Sequence, residues 1–277
     1  NYSKTTIKNT DPEFNTLLDG RDKSTITTII IGNRITAIAS QAFSLYSPGW
    51  GKGKLKSLVF EPGSRLKTIG SEAFHRNTKL TGTLTIPASV ETIGSYAFSE
   101  LWSLESLVFE TGSKLKTIGS NAFSGNDRLT GTLTIPASVE KIDEKAFYGC
   151  SSLTSLVFEA GSSLKTIGSE AFGARWYSKS KLAGKLTIPP LVTKIGSSAF
   201  IKRKGERNII FGLSEIFVYR KSLLSSAGDF FPEGTVTLLD SKEARKILEA
   251  AIKREEEAVE EACKKFTHPN VNRNYNS

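Results

Sequence analysis

The chain has 277 residues, 38% of them apolar and 23% charged, a composition that fits a folded chain and not a disordered one. No apolar run reaches the roughly 18 residues of a membrane helix. Lys and Arg outnumber Asp and Glu by 37 to 28, for a formal net charge of +9. Two cysteines, Cys150 and Cys263, exclude a disulfide scaffold and a thiolate zinc cage. Two histidines, His75 and His268, leave little for imidazole catalysis.

The chain begins at Asn1 and contains no Met, so export with a cleaved leader, or a trimmed terminus, is expected. Residues 1–25 are polar and read as an N-terminal cap around Phe14, Leu17 and Leu18. Beyond them the chain repeats. The dipeptide Ala-Phe recurs with Phe at 43, 74, 98, 123, 147, 172 and 200, spaced 31, 24, 25, 24, 25 and 28 residues. Two motifs alternate. One is SLVFEPGSRLKTIGSEAF at 57–74, echoed at 106–123 and 155–172; the other is GTLTIPASVETIGSYAF at 82–98, echoed at 131–147 and, loosely, at 184–200. TIIIGNRITAIASQAF at 28–43 belongs to the second type.

Apolar and small or β-branched residues alternate with period two in SLVF and TLTI, as in a half-buried strand with Leu58, Phe60, Leu84 and Ile86 inward. Pro87 and Pro136 end their strands. Gly70, Gly94, Gly119, Gly168 and Gly196 suit a tight turn at positive φ. Ala then permits close approach and Phe fills the interior. Seven such coils make a β-rich solenoid whose coils bury one continuous core.

The pattern L-x-I-P-x-x-V-x-x-I-G-x-x-A-F-x-x-C/N resembles the BspA-like (treponemal-type) leucine-rich repeat over residues 26–220. The resemblance implies a curved right-handed solenoid with a parallel sheet on its concave side. It also implies a non-enzymatic cell-surface or secreted protein engaged in adhesion. Asp143-Glu144, in place of Gly-Ser, and Ala39, in place of Gly, depart from the pattern.

Beyond the seventh coil, NIIF at 208–211 reads as an eighth strand and IFVYRKSLL at 216–224 as a degenerate last strand and cap, with a short strand over 235–239. Residues 241–266 read as a helix, with Asp240 and Glu243 as a capping box. Its apolar stripe of Ala244, Ile247, Leu248, Ala251, Ala258, Val259, Ala262, Cys263 and Phe266 is broken by Glu255. That stripe fits either packing on the solenoid or docking with another chain as a homo-oligomer or assembly contact. The expected organisation is a cap over 1–25, the solenoid with its C-terminal cap over 26–239, a helix over 240–266 and a polar tail over 267–277.

No catalytic motif, cofactor site or metal site is recognisable, and Gly49–Lys54 departs from a phosphate loop at Pro48 and Leu55. Asn77, Asn126 and Cys150 each follow a repeat Phe by three residues, where such side chains bond backbone groups between coils. Six extra residues after Phe43 and four after Phe172 put insertions in the same connector. These carry Tyr46 and Trp50, and Arg175, Trp176 and Tyr177; Trp102 occupies that connector after Phe98 and fits either core or flank. Aromatics beside Arg or Lys are typical of recognition hot spots. A stripe of Val59, Thr85, Val108, Thr134, Val157 and Thr187 on the sheet face, and rows of Glu61, Glu110, Glu159 and Lys67, Lys116, Lys165, read as solvated structure. Lys202, Arg203, Lys204 and Arg207 form the densest basic patch, the feature behind a polyanion-binding alternative. The leading expectation is an adhesion module for a protein or glycan partner. The alternative is a structural subunit docked through the helix; nucleic acid is not the expected partner.

Overall fold

The computed structural model describes residues 6–9, 26–45, 53–175, 180–200, 212–219, 236–239 and 242–266. Each of the seven repeat coils holds one long and one short strand, and further long strands precede and follow them. The long strands are β1 (Thr6–Asn9), β2 (Thr28–Ile31), β4 (Ser57–Phe60), β6 (Gly82–Ile86), β8 (Leu104–Phe109) and β10 (Gly131–Ile135). They continue with β12 (Leu153–Phe158), β14 (Ala183–Thr187), β16 (Gly212–Val218) and β17 (Val236–Leu238). The short strands are β3 (Ala37–Ile38), β5 (Thr68–Ile69), β7 (Thr92–Ile93), β9 (Thr117–Ile118), β11 (Lys141–Ile142), β13 (Thr166–Ile167) and β15 (Lys194–Ile195). One helix, α1 (Lys242–Phe266), follows. All pairings between described strands are parallel, so the chain is a β-rich leucine-rich-repeat solenoid with a C-terminal helix.

The short strands form one unbroken seven-stranded sheet. The long strands do not. They hydrogen-bond as β1-β2-β4, β6-β8, β10-β12 and β14-β16-β17. Within β6-β8 and β10-β12 the register shifts beside Gly82 and Gly131, both at positive φ, which marks a bulge. The unit of pairing on this face is therefore two coils, GTLTI with the SLVF that follows it.

Alternation places Leu58, Leu84, Leu107, Leu133, Leu156 and Leu186 inside. The short-strand isoleucines and the alanines of Ala-Phe meet them there. Along the axis the seven repeat phenylalanines stack, with ring centroids 5.1–5.4 Å apart and planes within 12° of parallel. Around each ring the backbone forms a further ladder: Phe74 N–H donates to the Ala97 carbonyl and Phe98 N–H to that of Ala122, at 2.8 and 2.7 Å.

Two expectations need correction. The glycines preceding Ser-x-Ala-Phe do not sit at positive φ. A Cβ at Gly94 would lie 2.5 Å from the Ser71 nitrogen, and one at Gly196 2.2 Å from the Ser169 nitrogen, so glycine there permits backbone contact between coils. The left-handed residue is the one before Ala-Phe: Gln41, Glu72, Tyr96, Asn121, Lys145, Glu170 and Ser198, at φ 53–59°. Second, the strand beside β14 is Gly212–Val218, which pairs Leu186 with Ile216, so that place is not open to NIIF at 208–211. Residues 208–211 themselves, like Phe14, Leu17 and Leu18, lie outside the described residues.

Candidate functional site

The connectors between each Phe and the next long strand stack along one flank. Asn77 donates from Nδ2 to the Phe43 and Phe74 carbonyls, at 2.9 and 2.8 Å. Asn126 Nδ2 donates to the Phe98 carbonyl at 3.0 Å, and its Oδ1 accepts from Leu101 N–H at 2.8 Å. The Cys150 thiol donates to the Phe123 carbonyl at 3.2 Å. Burial pushes this thiol up to about 12, so it stays protonated and unreactive at neutral pH. These side chains satisfy carbonyls in the interior that strand pairing does not reach.

Three residues after Phe172 stands Arg175, at the foot of the second insertion. Its side chain does not join this ladder by type. It runs back over Gly149 and Gly125, where an added Cβ would lie 3.0 Å from Nε and 2.4 Å from Nη2. The guanidinium ends 3.7 Å from Asp127 of an earlier connector. Both glycines are at positive φ, and at the same position in the preceding coils Arg76 and Glu100, also at positive φ, form an ion pair at 3.0 Å. Burial raises the Asp127 carboxyl above its usual range, and the Arg175 charge opposes that shift. His75, 8% exposed, is held below the usual imidazole range by burial.

Trp102 is half-buried on this flank. Tyr46, Trp50, Trp176 and Tyr177 lie outside the described residues, as do Lys202, Arg203, Lys204 and Arg207.

The sheet face is open. Val59, Val108 and Val157 are 43–45% exposed and alternate with Thr85, Thr134 and Thr187. At its edge the glutamate row ties coil to coil, since Glu110 and Glu159 accept from the N–H groups of Ala88 and Ala137 in the preceding coil, each at 2.9 Å. The lysine row pairs with other carboxylates, Lys67 with Glu91 at 3.7 Å and Lys116 with Glu140 at 2.8 Å. In the last full coil Thr193 replaces that glutamate, and Lys165 pairs with Glu255 of α1 instead.

The helix docks there through Ala244 and Ala251, both buried, beside Leu191, which takes the place of Ser89 and Ser138. A groove of about 540 Å³ opens between helix and solenoid, lined in part by Lys116, Glu140, Leu191, Arg254 and Val259. The two replacements that mark this dock were readable as departures from the repeat.

Comparison with known proteins gives a family and a set of distant folds. A family model described as a BspA type leucine rich repeat region matches residues 21–81 and 67–205 in six copies. No curated protein matches the chain. A Treponema pallidum leucine-rich repeat protein aligns at 22% identity and a TM-score of 0.45, over 63% of this chain and 75% of that one. The pneumococcal vaccine antigen PcpA aligns at 16% identity and 0.42, over 78% and 80%. A Bacteroides ovatus leucine-rich repeat protein aligns at 21% identity and 0.35, over 77% and 69%.

Proposed function

The chain belongs to the BspA-type leucine-rich repeat family, and from that premise we propose a non-enzymatic adhesion module, at the cell surface or secreted, that recognises a protein or glycan through its connector flank. The observation that carries this reading is Arg175, laid in the Gly125–Gly149 trough and ion-paired with Asp127. It fixes the start of the second insertion to a rigid stack of coils, and a pre-ordered surface loses less entropy when a partner binds. Trp102, half-buried on the same flank, supplies aromatic area of the kind that anchors interfaces.

The test is capture of a partner from intact surfaces of a candidate host or neighbouring cell, comparing the native chain with Trp102→Ala, Trp50→Ala and Trp176→Ala. Each change is expected to weaken binding by about 1–3 kcal/mol. Val108→Ala and Val157→Ala, on the sheet face, serve as the contrast and leave capture intact. Equal capture by the triple tryptophan variant would remove the flank from consideration. An assembly role for α1 is the second reading, favoured by Val259, 57% exposed one turn beyond Glu255. Deleting 241–277 should dissolve an oligomer in that case and leave partner capture unchanged in the other.

A further inference from the structure

We propose that the connector flank takes a linear anionic polysaccharide laid along the axis of the solenoid; this rests on the reading of that flank as the recognition face. The residue immediately before each buried connector leucine (Leu55, Leu80, Leu104, Leu129, Leu153, Leu182) forms a column: Lys54, Lys79, Ser103, Arg128, Ser152 and Lys181. All four cations are exposed, and among the described residues no carboxylate lies within ion-pairing distance of any of them. The two carboxylates of the described connector residues, Glu100 and Asp127, are engaged by Arg76 and Arg175. In the next position along, exposed Glu105, which accepts from the Thr81 hydroxyl at 3.3 Å, is matched in number by exposed Lys56, so the four charges of the column itself stay in excess.

The opposite edge of the sheet is arranged otherwise. There Lys67 and Lys116 meet Glu91 and Glu140, and Lys165 meets Glu255, so positive charge is cancelled coil by coil. Balanced charge on one edge and an uncompensated file on the other make a directional field, which draws and orients an anionic chain.

The spacing selects the class of polyanion. From Lys79 to Arg128, and from Arg128 to Lys181, is two coils, or about 9.6 Å, with a serine hydroxyl between. That suits a chain with one anionic group per disaccharide and hydroxyls between, to which Ser103 and Ser152 can donate or accept. Trp102, next to Ser103 and half-buried, adds aromatic area on which the apolar face of a sugar ring can pack. Duplex nucleic acid carries about one charge per 1.7 Å of axis, so a single file of cations this sparse would leave most phosphates unmatched.

The probe is hyaluronan oligosaccharides of graded length, which carry one carboxylate per disaccharide, with neutral dextran and duplex DNA alongside. Affinity for hyaluronan should fall with salt and should stop rising once the oligosaccharide spans Lys54 to Lys181, about 24 Å. The variant Lys54→Ser/Lys79→Ser/Arg128→Ser/Lys181→Ser should bind on the order of 10- to 100-fold more weakly. A variant of equal charge change elsewhere, Arg34→Ser/Arg65→Ser/Lys114→Ser/Lys194→Ser, should stay near the native value. Equal loss in both variants would reduce the effect to net charge and overturn the proposal. So would DNA binding as tight and as sensitive to the connector variant, or native affinity for hyaluronan no greater than for dextran. Should the connector variant keep its surface partner while Trp102→Ala loses it, the flank reading stands and the polysaccharide proposal falls.

Discussion

In the middle coils each lysine after the sheet edge meets a glutamate of the next coil, and each serine before the following valine bonds a carbonyl: Ser89 to Leu66 at 2.8 Å, Ser138 to Leu115 at 2.9 Å. In the last full coil Leu191 and Thr193 stand at those two positions, and α1 covers the place. The middle coils close on themselves. The last coil is closed by a helix, because its apolar leucine and unpaired lysine would otherwise face water. In a repeat, a position that changes only where a new element arrives reports contact with that element.

Predictions that break or sharpen this contrast begin in the middle of the stack. Phe123 is fully buried between the rings of Phe98 and Phe147, so Phe123→Ala should cost about 3–5 kcal/mol in urea unfolding. A loss under about 1 kcal/mol would show that the ring stack is not what couples the coils. Asn126→Ala leaves the Phe98 carbonyl and the Leu101 N–H without their buried partner, and should cost about 1–3 kcal/mol. Cys150→Ala, losing only a thiol donor, should cost less in the same assay.

At the last coil, Leu191→Ser restores the residue of the middle coils and removes a buried leucine from under the helix, at a cost of about 1–2 kcal/mol. The loss should be confined to α1, seen as faster amide exchange over 242–261 with the solenoid unchanged. Thr193→Glu gives Lys165 a carboxylate within the solenoid. As an exposed ion pair, the displaced Glu255 contact is worth only about 0.5 kcal/mol, so helix exchange should rise slightly.

The smallest effect is a pH slope. His75 has a folded-state pKa below its unfolded value, so the unfolded chain binds the proton first. The His75 contribution to stability is constant above about pH 6.5 and declines as pH falls from there through the folded pKa. His75→Gln should flatten that decline in thermal melts taken at a series of pH values; an unchanged slope would place its origin in other groups.

Much of this architecture is legible without coordinates, because a solenoid writes each contact seven times. Strand positions, the Phe column and the presence of a C-terminal helix follow from period and spacing. What period cannot express is which neighbour a repeated residue meets. Gly94 looks like a turn residue, yet its constraint is the backbone of the coil below, while the left-handed conformation falls on Tyr96 and its equivalents, which are chemically unlike one another. The long-strand pairing in twos was hidden for a related reason: both motifs read as equally good strands. Arg175 escaped as well. Its position suggests a loop residue beside Trp176, but its contacts are Gly149, Gly125 and Asp127, up to 50 residues earlier in the chain.

The two-coil unit of strand pairing makes this molecule a ruler with a fixed graduation. The sequence recurs every 49 residues, from Ser57 to Ser106 to Ser155, and Arg128 follows Lys79 at the same interval. Excising 82–130 would join Thr81 to Gly131 and recreate the junction of Thr81 with Gly82, letter for letter through the next proline. Reach along the axis can thus be lengthened or shortened in steps of about 9.6 Å, while the terminal fittings keep their form. A single coil removed alone would bring like strands together and lose the step.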